Sequence, residues 1–132
     1  MENVINEIEE VTKKLKAINL YDVVLDYCKK PSLLSVDYED FKLIICNNEI
    51  VNYFYGTINL NEPIKFNFKK YDSSNMILVI ETNASLHLNV IEKISDELKN
   101  SVGNFDIIYG LIVNDSLEDD IIKALIINTY GK

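Results

Sequence analysis

Residues 35 to 40 read SVDYED and set two carboxylates, Asp37 and Asp40, three positions apart just ahead of an apolar run. Carboxylates in such a place can do acid–base work on a molecule held against them. They can also serve only the helix that follows from Tyr38 to Cys46, Asp37 capping its free N–H groups and Asp40 sitting in its first turn. Asp115, Glu118, Asp119 and Asp120 form a second acidic group, but it has neither the glycine nor the ligand spacing of a calcium loop and reads as a solvated turn. Cys28 and Cys46 lack metal-site spacing, and His87, the single histidine, has no Cys or His near it, so no metal site is predicted. No Ser/His/Asp or Cys/His arrangement is legible. Tyr53, Phe54 and Tyr55 offer aromatic surface to a partner or to the core, and core packing is the expected fate.

These residues need elements to hold them. Val4, Ile8, Val11, Leu15 and Ile18 step by fours and threes between charged residues, which predicts an amphipathic helix running on through Tyr21, Val24, Leu25 and Cys28 to stop before Pro31. It is read as packed on its own domain rather than as a coiled coil. Asp37 opens a second helix. "IVNYFYGTINL" is a strand by composition, with a bulge suggested at Gly56. "PIKFNFKKY" alternates apolar and polar residues and predicts a strand with one wet face. "NMILVIET" is a continuous apolar run suited to a buried central strand. Leu86, Leu88, Ile91, Ile94, Leu98 and Val102, closed by Gly103, predict the crossover helix to "DIIYGLIV", a further strand. For "DDIIKALIINTY" periodicity allows helix or strand, and its four isoleucines within seven residues favour strand. The last two strands are expected to form an antiparallel hairpin turning at Asn114 to Asp119, with Ile107, Leu111, Val113, Ile122, Leu125 and Ile127 buried.

The whole is one domain over residues 1–132, an N-terminal helix over 1–30 and an α/β sandwich over 31–132. The predicted class is α/β (α+β), a two-layer sandwich whose mixed sheet of four to five strands is packed by the long N-terminal helix and the crossover helix. A net charge of −8 and thirteen lysines without one arginine disfavour nucleic acid as a partner, since the planar fork for phosphate and guanine is missing. No apolar run suits a membrane span and the N-terminus does not read as a signal peptide, so a cytoplasmic, acidic, membrane-free protein is expected.

The run "IIYGLIVNDSLEDDIIKALIINTYG" resembles the last two strands of the bacterial tubulin homologue FtsZ, an aromatic-Gly strand, an acidic loop and a final apolar strand. "VIETNASLHLNVIEKISDEL" is similar to the strand, turn and Leu-x-Leu helix before that pair. "KKPSLLSVDYEDFKLII" is similar to that family's segment after its long central helix. The resemblance spans about Leu20 to Gly131 and matches the C-terminal, post-central-helix domain, without the GTP-binding domain. Two departures stand out. The four glycines are isolated, so these residues build no phosphate-cradling loop and no nucleotide cofactor is expected. The family's helix between the first two strands of that domain has no counterpart in "NLNEPIKFNFKKYDSS".

In FtsZ the resemblance implies that an N-x-D-x-x-D loop reaches the nucleotide of the next subunit and positions the attacking water. The matching positions are Ser35, Asp37 and Asp40, the amide being replaced by a hydroxyl. The implied function is that of a protein, non-catalytic in isolation, that binds an FtsZ-type or tubulin-like partner through Ser35, Asp37, Tyr38 and Asp40. It would cap or regulate polymerisation in cell division, with Asp37 and Asp40 contributing in trans. Alternatives are a ring-forming, trimeric small-molecule-binding protein or enzyme of chorismate-mutase-like fold, or the C-terminal half of a split GTPase. A homo-oligomer is compatible with any of these.

Overall fold

The computed structural model describes residues 2–29, 32–34, 38–83 and 88–131. Within them the order is α1 (Glu2–Ala17), α2 (Tyr21–Lys29), β1 (Ser32–Leu34), α3 (Tyr38–Asn47), β2 (Asn48–Asn59), β3 (Ser74–Thr82), α4 (Leu88–Val102), β4 (Phe105–Val113) and β5 (Ile121–Gly131). The five strands lie in the order β1-β4-β3-β5-β2. β3 and β4 are parallel and joined through α4, while the other neighbours run antiparallel, so the sheet is mixed, as the sequence predicts.

β3 is central because its side chains are apolar on both faces. Ile77 and Val79 point to one side, where Leu125 and Ile127 of β5 meet Val11, Leu15, Leu20, Val24, Phe41 and Ile45 of the first three helices. Met76, Leu78 and Ile80 point to the other, against Ala124 and Ile126 and against Ile94, Leu98 and Val102 of α4. Both faces of the sheet are covered, by the first three helices on one side and by α4 on the other. Each fully buried Leu or Ile contributes about 1.5–3 kcal/mol relative to exposure.

The expected single helix over residues 1–30 is two helices. Asn19 takes φ 61°, the left-handed conformation that Asn tolerates better than most residues. Its N–H donates to the Lys16 carbonyl at 3.1 Å, and the Leu20 N–H to the Leu15 carbonyl at 2.9 Å. This pair of bonds, with Leu15 and Leu20 both buried, is a Schellman C-cap. Leu20 then accepts from Val24 at 3.0 Å and starts α2.

Two strand expectations change. Residues 64–71 alternate as expected, with Ile64, Phe66, Phe68 and Tyr71 against the α4-side core and Lys65, Asn67 and Lys69 exposed. They nonetheless form no ladder. Lys69 is held instead by the side chain of Asn52, whose Nδ2 donates to the Lys69 carbonyl and whose Oδ1 accepts from the Lys69 N–H, both at 2.9 Å. β4 and β5 are strands, but they do not form a hairpin. β3 lies between them, pairing with β4 on one edge and β5 on the other, since a strand apolar on both faces belongs in the middle. Burial follows that topology: Ile122, Leu125 and Ile127 are buried, Ile107 and Leu111 are half-buried, and Val113 is exposed. The register shift in β2 falls between Ile50 and Asn52, while Gly56 pairs in register with Ala124.

Candidate functional site: the β1–α3 junction

The candidate site sits where the edge strand β1 hands over to α3. β1 is placed by antiparallel pairing to β4, Ser32 opposite Ile112 and Leu34 opposite Leu111. Ser35 and Asp37 lie outside the described residues. Tyr38 and Asp40 belong to the first turn of α3, which begins at Tyr38 as the sequence predicts.

α3 is held along one face and at its C-terminal end. Phe41 and Ile45, one turn apart, bury themselves against the sheet. At the helix's C-terminal end, Lys14 of α1 donates to the carbonyls of Ile45 at 2.8 Å and Asn48 at 2.9 Å. Asn48 Nδ2 donates to the Ile44 carbonyl at 2.8 Å. A cation among the last carbonyls is favourable both as a hydrogen-bond donor and against the helix dipole. With that end anchored and one face buried, the first turn is carried as a fixed extension of a rigid helix. Sequence reading placed Lys14 only on the wet face of α1. The signal that could have found it is weak, one of three lysines close together at 13, 14 and 16, whose partner is thirty-one residues away.

A second polar group gathers at the carboxyl ends of the parallel strands. Glu81 is 1% exposed and its Oε2 accepts from Asn114 Nδ2 at 2.9 Å. The Asn114 N–H donates to the Thr82 carbonyl. Asn83 Nδ2 donates to the Leu117 carbonyl at 3.0 Å and to Asp119 Oδ1 at 2.7 Å. These bonds carry the 114–120 connection over the end of β3. Asp119 is thus engaged by Asn83, and among the described residues no three acidic, Cys or His side chains converge as metal ligands. Tyr27 stands near this group, with its ring edge-on to Tyr55 at 6.3 Å between centroids. Burial raises its phenol pKa, and Tyr55, Glu81 and Asp26 nearby raise it further.

Of the other residues weighed from sequence, His87 lies outside the described residues and Cys46 is half-buried. Tyr53 and Tyr55 are 50% and 45% exposed, against the expectation of core packing. They sit on an edge strand that the helices cover incompletely, Tyr55 meeting the Tyr27 ring of α2, while Phe54, pointing the other way, packs on the α4-side core. No described helix is long and apolar enough to cross a membrane.

No protein-family model matches the chain, and no curated protein matches it by sequence. Solved structures do. A point mutant of FtsZ from M. jannaschii superposes with a TM-score of 0.57 at 17% identity, covering 89% of this chain and 40% of that one. The empty FtsZ dimer from the same organism gives 0.57 at 19% identity, covering 86% of this chain and 36% of that one. The chain therefore spans about two fifths of the FtsZ chains it matches, and at these identities the likeness is one of fold. Taken with the element order, the chain has a fold similar to that of the C-terminal, post-central-helix part of FtsZ.

Proposed function

We propose that this chain is an interaction module that docks on an FtsZ-type filament or GTPase partner in the cytoplasm through the Ser35 to Asp40 junction, and that it is not itself an enzyme. The observation that carries the reading is the extent of the likeness: nearly nine tenths of this chain superposes on only two fifths of FtsZ. The junction whose residues resemble the partner-facing loop leads into α3, whose C-terminal end is anchored by Lys14. Residues 1–132 contain no glycine-rich phosphate loop, and a module of these residues presenting that surface would end a filament or alter its turnover in cell division rather than extend it. Asp37 and Asp40 then face the partner's nucleotide, where carboxylates position water and shift charge.

The test is FtsZ GTP turnover and sedimentable polymer measured with rising amounts of the 132-residue chain and of Asp37→Asn and Asp40→Asn. Asn keeps the cap at 37 and removes only first-turn charge at 40, so folding survives both changes. The expected result is that the wild type alters one or both quantities and that each variant does so less. No change at several-fold excess of wild type rejects docking. Variants as active as wild type leave the two carboxylates as structural groups only.

A further inference from the structure

β2 is an edge strand of twelve residues, and only one of its edges is used. β5 pairs with it along its whole length, while among the described residues no backbone hydrogen bond outside that ladder reaches Ile50 to Ile58, and at Asn59 the carbonyl accepts from the Glu62 N–H at 3.1 Å. Long edges of this kind are ordinarily blunted by charged residues, proline or cover. Residues 50 to 59, IVNYFYGTIN, contain no charged residue and no proline. The neighbouring segment 64–69 does not close the edge either, because it is tied to β2 through the Asn52 side chain rather than through a ladder.

Between β2 and that segment runs a groove. One part, of about 410 Å³, is lined by Val51 to Phe54 and Lys65 to Phe68. A second part, of about 180 Å³, continues it along Thr57 to Asn59 and shares Phe54, Lys65 and Phe66 with the first. Its floor is aromatic: Phe54 meets Phe66 edge-on at 5.5 Å, and Phe66 stacks on Phe68 at 5.3 Å. Lys65 lines both parts and Glu62 the second, and Lys69 and Lys70 follow, exposed, in the same segment, in a chain whose net charge is −8.

We propose that the free edge of β2 is a strand-addition site for an extended acidic segment of a partner protein. The segment's main chain pairs with the open edge, its apolar side chains enter the aromatic groove, and its alternate carboxylates meet the lysine row. Main-chain pairing gives such sites affinity and the alternating side chains give them selectivity. The chain's overall negative charge opposes an acidic partner at long range, but within a Debye length of about 8–10 Å the local lysines decide the sign. A second copy of this chain fits less well, because pairing β2 with β2 across a two-fold axis brings the two lysine rows together. This surface is distinct from the β1–α3 junction, and its test does not depend on FtsZ.

The probe is a fluorescein-labelled peptide of about nine residues, the length of an ordinary strand, alternating valine and glutamate. The control carries lysine in place of glutamate. Fluorescence anisotropy is measured with the full chain and with the double variant Lys65→Glu/Lys69→Glu, whose changes fall on exposed side chains. The glutamate peptide is expected to bind wild type about tenfold more tightly than either the lysine peptide binds it or the double variant binds the glutamate peptide. Amide exchange of residues 50–59 should slow when that peptide is bound. Equal binding of the two peptides, no anisotropy change up to about millimolar chain, a concentration at which only about 4 kcal/mol of binding is needed, or protection elsewhere than β2 overturns the proposal. A dimer seen by sedimentation equilibrium, with β2 amides protected in the chain alone, overturns it in favour of self-pairing.

Discussion

The Nζ of Lys14 and the carbonyl of Ile45 are 2.8 Å apart, a contact between the last turn of α1 and the end of α3. The same ammonium reaches the Asn48 carbonyl and the Glu10 carboxylate, the latter at 3.1 Å. One lysine therefore satisfies a carbonyl left at the end of α3 and the first carbonyl of β2, and fixes α1 against α3.

Lys14→Met keeps the aliphatic stem and removes the donor. A loss of about 1–2 kcal/mol is expected, between that of a dipole interaction and that of a full charge-assisted bond, since the ammonium is partly exposed. Urea denaturation followed by circular dichroism measures it. Glu10→Gln serves as the contrast and should cost no more than about 0.5 kcal/mol, because an exposed i,i+4 ion pair contributes little.

Asn128 is fully buried in β5 and spends its whole amide: it accepts from Asn52 at 2.9 Å and donates to Ser74 Oγ at 3.0 Å and to the Asn75 carbonyl at 2.9 Å. Asn128→Leu strands those partners away from water. Each buried group left unsatisfied costs about 1–3 kcal/mol, so a loss of ~2–4 kcal/mol in unfolding free energy is expected. An unfolding midpoint unchanged from wild type would show that Asn52 and Ser74 find other partners.

Gly103 ends α4 at φ +101°, with its N–H on the Lys99 carbonyl at 2.9 Å. An added Cβ would meet Asp72 Oδ1 at 3.0 Å and Asp72 Cα at 3.4 Å, and that carboxylate is held by the Asn104 N–H at 2.7 Å. Gly103→Ala is expected to destabilise by about 1–3 kcal/mol, through backbone strain and this crowding together. Thermal unfolding reads it directly.

The Tyr27 phenol has its pKa raised in the folded chain by burial, with Tyr55, Glu81 and Asp26 adding to the shift. Its contribution is fully present below the unfolded value of about 10 and is lost as pH rises toward the raised folded value, because the unfolded chain then releases a proton that the folded one keeps. Wild-type stability should fall above about pH 10, and Tyr27→Phe should fall less steeply over that window. Urea midpoints at paired pH values below and above 10 decide it; parallel slopes for the two proteins would contradict the assignment.

Local chemistry wrote most of the elements into the sequence. The 3.6-residue spacing around Leu98 and the closing Gly103 marked α4, the β-branched run of β5 marked a strand, and Asp37 before Tyr38 marked the start of α3. What only the tertiary structure decided is where those elements go. The run "NMILVIET" is apolar on both faces, and burying both requires a strand on each side of it and helices above and below. This parted β4 from β5 and put helices on both faces of the sheet. Residues 64–71 have a strand's alternation but no ladder, because periodicity records which face is wet and not which backbone lies alongside. The break at Asn19 shows the same limit from the other side: the apolar spacing runs straight through it, and the turn is set by burying Leu15 and Leu20 together. Lys14 as the anchor of α3, and the unpaired edge of β2, are likewise relations between residues far apart in the chain. Composition and spacing carry no signal for them, since each exists only once the sheet has chosen its order.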